Sequence, residues 1–332
     1  MAIPSTAQAQ RAPDVIGSGF AGPLQIDIGH KNQIYVAQDF AGIVTKLQPN
    51  GTTKDIVHEQ GEVAGVASRG YDVAYTFTAG TPANPVALLK MRKADGTIKT
   101  IADVGAFEAA HNPDSRNVYG FRNLSKACAA RVPPQIGGEP YTGIVESHPY
   151  AVANAPGGGW YIADAAANDV LHVRKDGHIS VFGVLRPQKA VVSQDAADAL
   201  GLPQCTVGKV YAFEPVPTDV EVKDTGALIV SLLPGGPEDA TLGARGAIVR
   251  LAGDGEFANL ATGFAGATNV ALRPGGKIYV VELFSQTISV LQNGQITTVR
   301  HLVDPAAIEF ARGKLFATSD VFGAGNVVSF KP

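Results

Sequence analysis

The sequence predicts an all-β fold, a six-bladed β-propeller with four strands per blade, in which a strand from the amino end closes the last blade. Three observations carry that expectation. Asn-Gly and Asp-Gly pairs, suited to the positive φ of tight hairpin turns, stand between apolar runs at Asn50-Gly51, Asp95-Gly96, Asp176-Gly177, Asp254-Gly255 and Asn293-Gly294. Their separations are one or two units of about 40 residues, a period in the range of propeller blades. Upstream of most pairs, in LQIDIGHKNQIYVAQ, YAVANAPGGGWYIADA, TDVEVKDTGALIVSLL and TNVALRPGGKIYVVEL, a first strand, a Gly turn and a more apolar second strand follow one another. A β-sandwich also uses short strands, but it gives no reason for a period of about 40 residues.

The elements follow in order. MAIPSTAQAQ ends in small residues, with Ala7 and Ala9 in an A-x-A pattern, so residues 1–12 read as the remnant of a signal peptide or artificial leader. Residues 13–332 then form one propeller domain. Units fall at 22–58, 63–104, 148–185, 217–263, 266–302 and 306–330. The last supplies only three strands, AIEFA, KLFATS and NVVSF, and PDVIGSGF (Pro13–Phe20) is a strand without a hairpin partner. An unpaired sheet edge is a liability, so the two are expected to pair. Insertions at 105–147 and 186–216 interrupt the series, and LLPGGPEDATLGARG (Leu232–Gly246) widens the fourth unit. In the second insertion, SQDAADALGL reads as a short helix capped by Ser193 and stopped at Gly201, placed to cover part of the axis.

Strands of a blade alternate in direction, so the links from strand 1 to 2 and from 3 to 4 leave on one face, where tight Gly turns dominate. The other links and both insertions leave on the opposite face. Long loops on a rigid scaffold are where binding sites concentrate, so one working face and one plain face are expected. Residues beginning strand 1 and ending strand 2 reach the mouth of the axis on the working face.

Composition narrows the function. A net charge of −3 and a pI near 6.2 leave no basic footprint for nucleic acid, and no apolar run approaches the roughly 18 residues of a membrane helix. With 38 glycines and 21 prolines the chain is rich in turns. Cys128 and Cys205 are the only cysteines. They are either buried thiols or a disulfide, which would fit secretion to the extracellular space and contribute about 4 to 5 kcal/mol through its long loop.

Candidate site residues come from the mouth. Asp164 in YIADAAAND and Asp39 in YVAQDF read as turn caps, because a carboxylate there accepts backbone N–H groups. Glu282 in YVVELF ends a strongly apolar strand, where burial would suit a general acid or base. His148 in ESHPYAV and His111 in EAAHNPD belong to the first insertion and its exit and could titrate near neutrality, His148 closer to the axis. Glu282 and His148 are therefore the catalytic candidates. Thr218, Asp219, Thr268 and Asn269 sit at one level in adjacent blades and, with Tyr150 and His111, are the substrate-binding candidates; Thr218, Asp219, Thr268 and Asn269 could equally form a ring that satisfies itself. No Gly-x-Ser-x-Gly elbow, His-Glu-x-x-His, Cys-x-x-Cys or phosphate-cradling loop occurs, so no cofactor and no metal is expected.

SHPYAVA, GLPQCTVGKVYAFEPVPTDVEV, LLPGGPEDATLGARG and GFAGATNVAL followed by YVVELF resemble the secreted, actinobacterial branch of the ScyD/ScyE-like propellers, named after proteins of scytonemin biosynthesis. The resemblance runs from about residue 13 to 330 and implies a six-bladed, NHL-like fold, but no single reaction. More distantly, the chain is similar to gluconolactonase-type propellers, whose axial calcium is held by Glu, Asn and Asp near the starts of innermost strands. Here the matching column reads Leu24, Ala64, Tyr150, Thr218, Thr268 and Ala306, which lacks carboxylate and amide ligands.

Two functions remain in view. The first is an extracellular enzyme acting on a small organic molecule, by hydrolysis, lactonase-like, lyase or cyclase chemistry, at the looped end of the axis. The second is a non-catalytic module that binds an extracellular protein or saccharide through the insertions and the Pro234–Arg245 loop, with Tyr119, Phe121, Tyr141, Tyr211 and Phe213 as its aromatic supply. An envelope protein is a lesser third.

Overall fold

The computed structural model of the chain describes residues 11–81, 83–253 and 256–332. Residues 1–10 of the expected leader remnant (1–12) and the Asp254-Gly255 turn lie outside the described residues. Among the described residues the strands form seven four-stranded antiparallel sheets, the arrangement of a β-propeller fold. In chain order, the first sheet holds Pro23–Ile28, Ile34–Gln38, Ile43–Leu47 and Thr53–His58, and the second Val66–Arg69, Asp72–Thr81, Asn84–Arg92 and Ile98–Asp103. The third holds Pro149–Asn154, Trp160–Asp164, Asp169–Val173 and Ile179–Val184. The fourth holds Pro217–Val222, Leu228–Leu232, Gly246–Leu251 and Phe257–Phe264. The fifth holds Ala267–Arg273, Lys277–Glu282, Thr287–Gln292 and Gln295–His301. The sixth takes Ile308–Ala311, Lys314–Ser319 and Asn326–Phe330 from the carboxyl end and Asp14–Ser18 from the amino end, the latter pairing with Asn326–Phe330.

The first strand of each of these sheets touches the first strand of the next, and that of the sixth touches that of the first. The apolar core is accordingly divided into wedges between neighbouring sheets. Between the third and fourth, Ala163, Val170 and Leu185 meet Val230, Leu232 and Val249; between the sixth and first, Phe20, Ile26 and Val36 meet Ala307 and Val327. Burial on both faces explains why second strands such as IYVAQ and WYIAD are apolar throughout rather than alternating.

The count of six sheets expected from the period falls one short. Val118–Phe121 and Tyr141–Thr142 of the first insertion pair with Gln188–Val191 and Val210–Phe213 of the second, in the order 141–142, 118–121, 210–213, 188–191. Pairing between insertions so far apart in sequence has no local signal. This sheet has its own small core of Phe121, Val132, Val192 and Ala197, and the Cys128–Cys205 disulfide ties the same two insertions together. Ser193 caps the helix Gln194–Ala199, its hydroxyl accepting the Ala196 N–H at 3.1 Å. Among the described residues no helix is long and apolar enough to cross a membrane.

The hairpin turns correct a detail. Among the described pairs, only Asn293-Gly294 has both residues at positive φ, 52° and 77°. At Asn50-Gly51, Asp95-Gly96 and Asp176-Gly177 the glycine alone is left-handed, and the Asn or Asp side chain accepts the N–H two residues on, from Thr52, Thr97 and His178. These are three-residue loops, in which the acceptor side chain is as useful as tolerance of positive φ.

Deleting residues 11–20 leaves Asn326–Phe330 with an open edge and removes Phe20 from its wedge. The melting temperature is expected to fall by several degrees and unfolding to lose cooperativity, measured by calorimetry; an unchanged transition would contradict the role of this strand.

Candidate functional site

Around the axis, polar side chains stitch each innermost strand to the next. The Thr218 hydroxyl donates to the Ala267 carbonyl at 3.0 Å and the Thr268 hydroxyl to the Ala306 carbonyl at 2.8 Å. Asp219 accepts the Val270 N–H at 2.9 Å, and Asn269 accepts the Ile308 N–H at 2.8 Å. The remaining amide of Asn269 donates at 2.7 Å to Gln25, which reaches from the first sheet to the Thr218 carbonyl of the fourth at 3.0 Å. All four substrate-binding candidates of this ring are thus engaged in holding sheets together.

The same axis holds a cavity of about 270 Å³ lined by Asp27, Asp219, Glu221 and Glu309. Burial pushes Asp27 up to about 6 and Asp219 up to about 7. Off the axis, Glu108 is buried beside Asp164 and Asp114 and is pushed up to about 8, first by burial and then by those charges.

Glu282 belongs to a repeated device. In the first, third and fifth sheets the polar residue ending the second strand turns back to the segment entering the innermost strand. Gln38 accepts the Ala21 N–H, Asp164 the His148 N–H and Glu282 the Ala265 N–H, each at 2.7 Å. The second oxygen of Glu282 accepts the Ser289 hydroxyl. With both oxygens engaged and 7% exposure, Glu282 ties strands together. Asp164 does the same and also accepts from Ala167 N–H and the Ser147 hydroxyl.

Asp39 departs from the turn-cap expectation. It follows the same strand end, but its Oδ1 is enclosed without a hydrogen-bond partner. Burial pushes its carboxyl up to about 7, the Glu62 charge and hydrogen bond adding to the rise and His148 opposing it. Glu62 in turn bonds Nε2 of His148. Burial works against the charged imidazole, yet the Glu62 hydrogen bond and charge, with Asp164 and Asp39 behind, raise it above its ordinary value. Tyr150 stands edge-on to His148 with ring centroids 5.9 Å apart, its hydroxyl raised by burial and then by the Asp39 and Glu62 charges. At the same face the exposed Phe40 and Phe322 rings stack at 6.3 Å.

This cluster has a sequence signal that the column of strand starts missed. Glu62 and His148 each lie two residues before a column residue, Ala64 and Tyr150, in consecutive sheets. Equivalent positions in neighbouring sheets meet around the mouth, so the column two residues upstream was the informative one. His111, by contrast, is exposed at the end of the helix Val104–His111, with Nδ1 2.8 Å from the Phe107 carbonyl and its ring stacked on Phe107. Among the described residues no group of three or more His, Cys, Asp or Glu side chains is arranged to hold a metal ion.

No protein-family model matches the chain, and no curated protein matches it. Its fold is similar to that of several solved structures. The PQQ-bound aldose sugar dehydrogenase from Streptomyces coelicolor is 11% identical with a TM-score of 0.59, over 95% of each chain. A gluconolactonase from Xanthomonas campestris is 11% identical with a TM-score of 0.58, over 96% of this chain and 89% of that one. Virginiamycin B lyase from Staphylococcus aureus is 14% identical with a TM-score of 0.52, over 93% of this chain and 95% of that one. At such identities the likeness extends to the fold.

The raised carboxyls set a pH dependence. A group whose folded pKa lies above its unfolded one keeps its proton longer in the folded chain, so its contribution is full below about pH 4 and is lost as pH rises through the folded value. For Asp27, Asp219 and Glu108 those values are about 6, 7 and 8. The melting temperature is expected to decline from pH 5 to pH 8.5. Glu108→Gln, neutral at every pH, is expected to flatten that decline by an amount of order 1–3 kcal/mol. A wild-type decline untouched by the substitution would contradict the assignment.

Proposed function

We propose that the chain is an extracellular enzyme that acts on a small organic molecule at the looped mouth of the axis, with Asp39, Glu62 and His148 moving protons. The observation that carries this reading is the contact of Glu62 with His148 beside an Asp39 carboxyl whose Oδ1 has no partner. Asp39, poised near neutral pH, is the base; His148, whose charged form Glu62 favours, is the acid or the electrostatic partner of a developing negative charge. Phe40 and Phe322 offer an apolar platform at the rim, and Tyr150 lines the approach. Hydrolysis, elimination and ring closure all need such a proton-donor and proton-acceptor pair. The names of the structural neighbours, a lyase, a lactonase and a sugar dehydrogenase, agree with small-molecule chemistry on this fold.

In this reading residues 13–332 are one six-bladed propeller domain of the ScyD/ScyE-like type, and the sheet built by the insertions is an accessory. Support comes from the closed series of six innermost-strand contacts and the apolar wedges between successive sheets. The disulfide supports an oxidising, extracellular setting. The exposed Ile144, Val145 and Val191 of the insertions favour the second reading, a module that binds an extracellular protein.

The test begins with a screen of lactones, esters and cyclic substrates for turnover. His148→Gln is expected to lower kcat by roughly 10²-fold or more with the fold intact, whereas Glu282→Gln is expected to lower the melting temperature and leave kcat within a few-fold. The kcat profile should rise through about pH 7 as Asp39 ionises and fall again above the His148 pKa. Full turnover in His148→Gln and Asp39→Asn would refute the assignment.

A further inference from the structure

We propose a second small-molecule site, between the insertion sheet and the Leu232–Gly246 loop, which takes a ligand with an aromatic or fused-ring body and a single carboxylate. A cavity of about 590 Å³ lies there, within the usual range for small-molecule pockets. Its walls are apolar and aromatic: Tyr211 and Phe213 from the insertion sheet, Ile136 and Leu202 from the insertion loops, and Leu242 from the fourth sheet's loop. The two aromatic rings pack at 4.6 Å with an interplanar angle of 52°, a rigid wall for a planar ligand.

The charged groups of the cavity differ in how fully they are engaged. Glu214 accepts the Tyr141 hydroxyl at 2.8 Å and a longer contact from Asn168 at 3.4 Å, so both its oxygens are occupied. Arg245 sits over the Phe213 ring at 5.6 Å. Its Nε and Nη2 donate to the carbonyls of Pro234 and Pro237 at 3.1 and 2.7 Å, which shapes the loop, but its Nη1 is enclosed without an acceptor. A guanidinium half-buried against the Phe213 ring, with the Asp239 charge nearby and an Nη1 that gains an acceptor once the loop gives enough to admit one, favours an anionic group at that end of the cavity. A carboxylate supplies that acceptor, and the ring body fills the apolar remainder. The site is assembled by both insertions and the loop together, and it is independent of the proton-moving cluster at the mouth.

Titration calorimetry with 2-naphthoate, and with 2-naphthylmethanol as its neutral counterpart, tests the assignment on the full chain. Wild type is expected to bind naphthoate at least tenfold more tightly than the alcohol. Arg245→Gln should erase that preference and Arg245→Lys restore part of it. Ala190→Trp, which fills the cavity from an exposed lining position, should weaken both ligands by tenfold or more. His148→Gln should change neither, which separates this site from the axial one. Absence of naphthoate binding, equal affinity for the two ligands, or affinities indifferent to Ala190→Trp in a chain that melts like wild type would overturn the proposal.

Discussion

The structure depends on closing a ring of sheets whose ends lie at opposite termini of the chain. Asp14–Ser18 pairs with Asn326–Phe330, so the outermost strand of the last sheet is supplied by the first residues of the fold. Without that pairing the apolar wedge between the sixth and first sheets would open to water. Every other wedge has sequence-adjacent sheets on both sides, two of those links carrying the insertions; this one alone is bridged by chain ends. Ring closure is thus the long-range step, and the local hairpins are elements that it gathers.

Closure constrains the axis. Innermost strands converge there, and their side chains are too close to one another to be apolar and bulky throughout. Thr218, Asp219, Thr268 and Asn269 satisfy backbone groups of the neighbouring strand, and Gln25 spans the centre. A polar ring of this kind fixes the rotation of one sheet against the next, because each bond has one partner at one register. At the rim, where links leave the sheets, side chains are less bound to hold neighbours. Asp39, Glu62 and His148 occupy that rim, and the contrast between Asp39 and Glu282 shows the division. Both stand at the end of a second strand, yet Glu282 has two donors while one oxygen of Asp39 has none.

The insertions add a second level of organisation. They lie far apart in the chain, but pair strand to strand, share a small apolar core and are joined by the Cys128–Cys205 disulfide. Their aromatic residues, Tyr141, Tyr211 and Phe213, line a cavity closed on its other side by the Leu232–Gly246 loop, which Arg245 braces through the Pro234 and Pro237 carbonyls.

The sequence by itself determined the strands of the repeated units, their period and the closing role of the amino-terminal segment, because these follow from local alternation, turn residues and an edge that needs a partner. It also brought His148 and Tyr150 into consideration, since both sit at the start of an innermost strand. Only the tertiary structure decided that the two insertions form a sheet with each other, that Glu282 is engaged by Ala265 and Ser289, and that Glu62 meets His148. Those are contacts between segments 86 residues apart or set by the donors that happen to surround a side chain. Local pattern fixes which way a residue points along its strand; which group it finds there depends on how neighbouring sheets are rotated once the ring has closed.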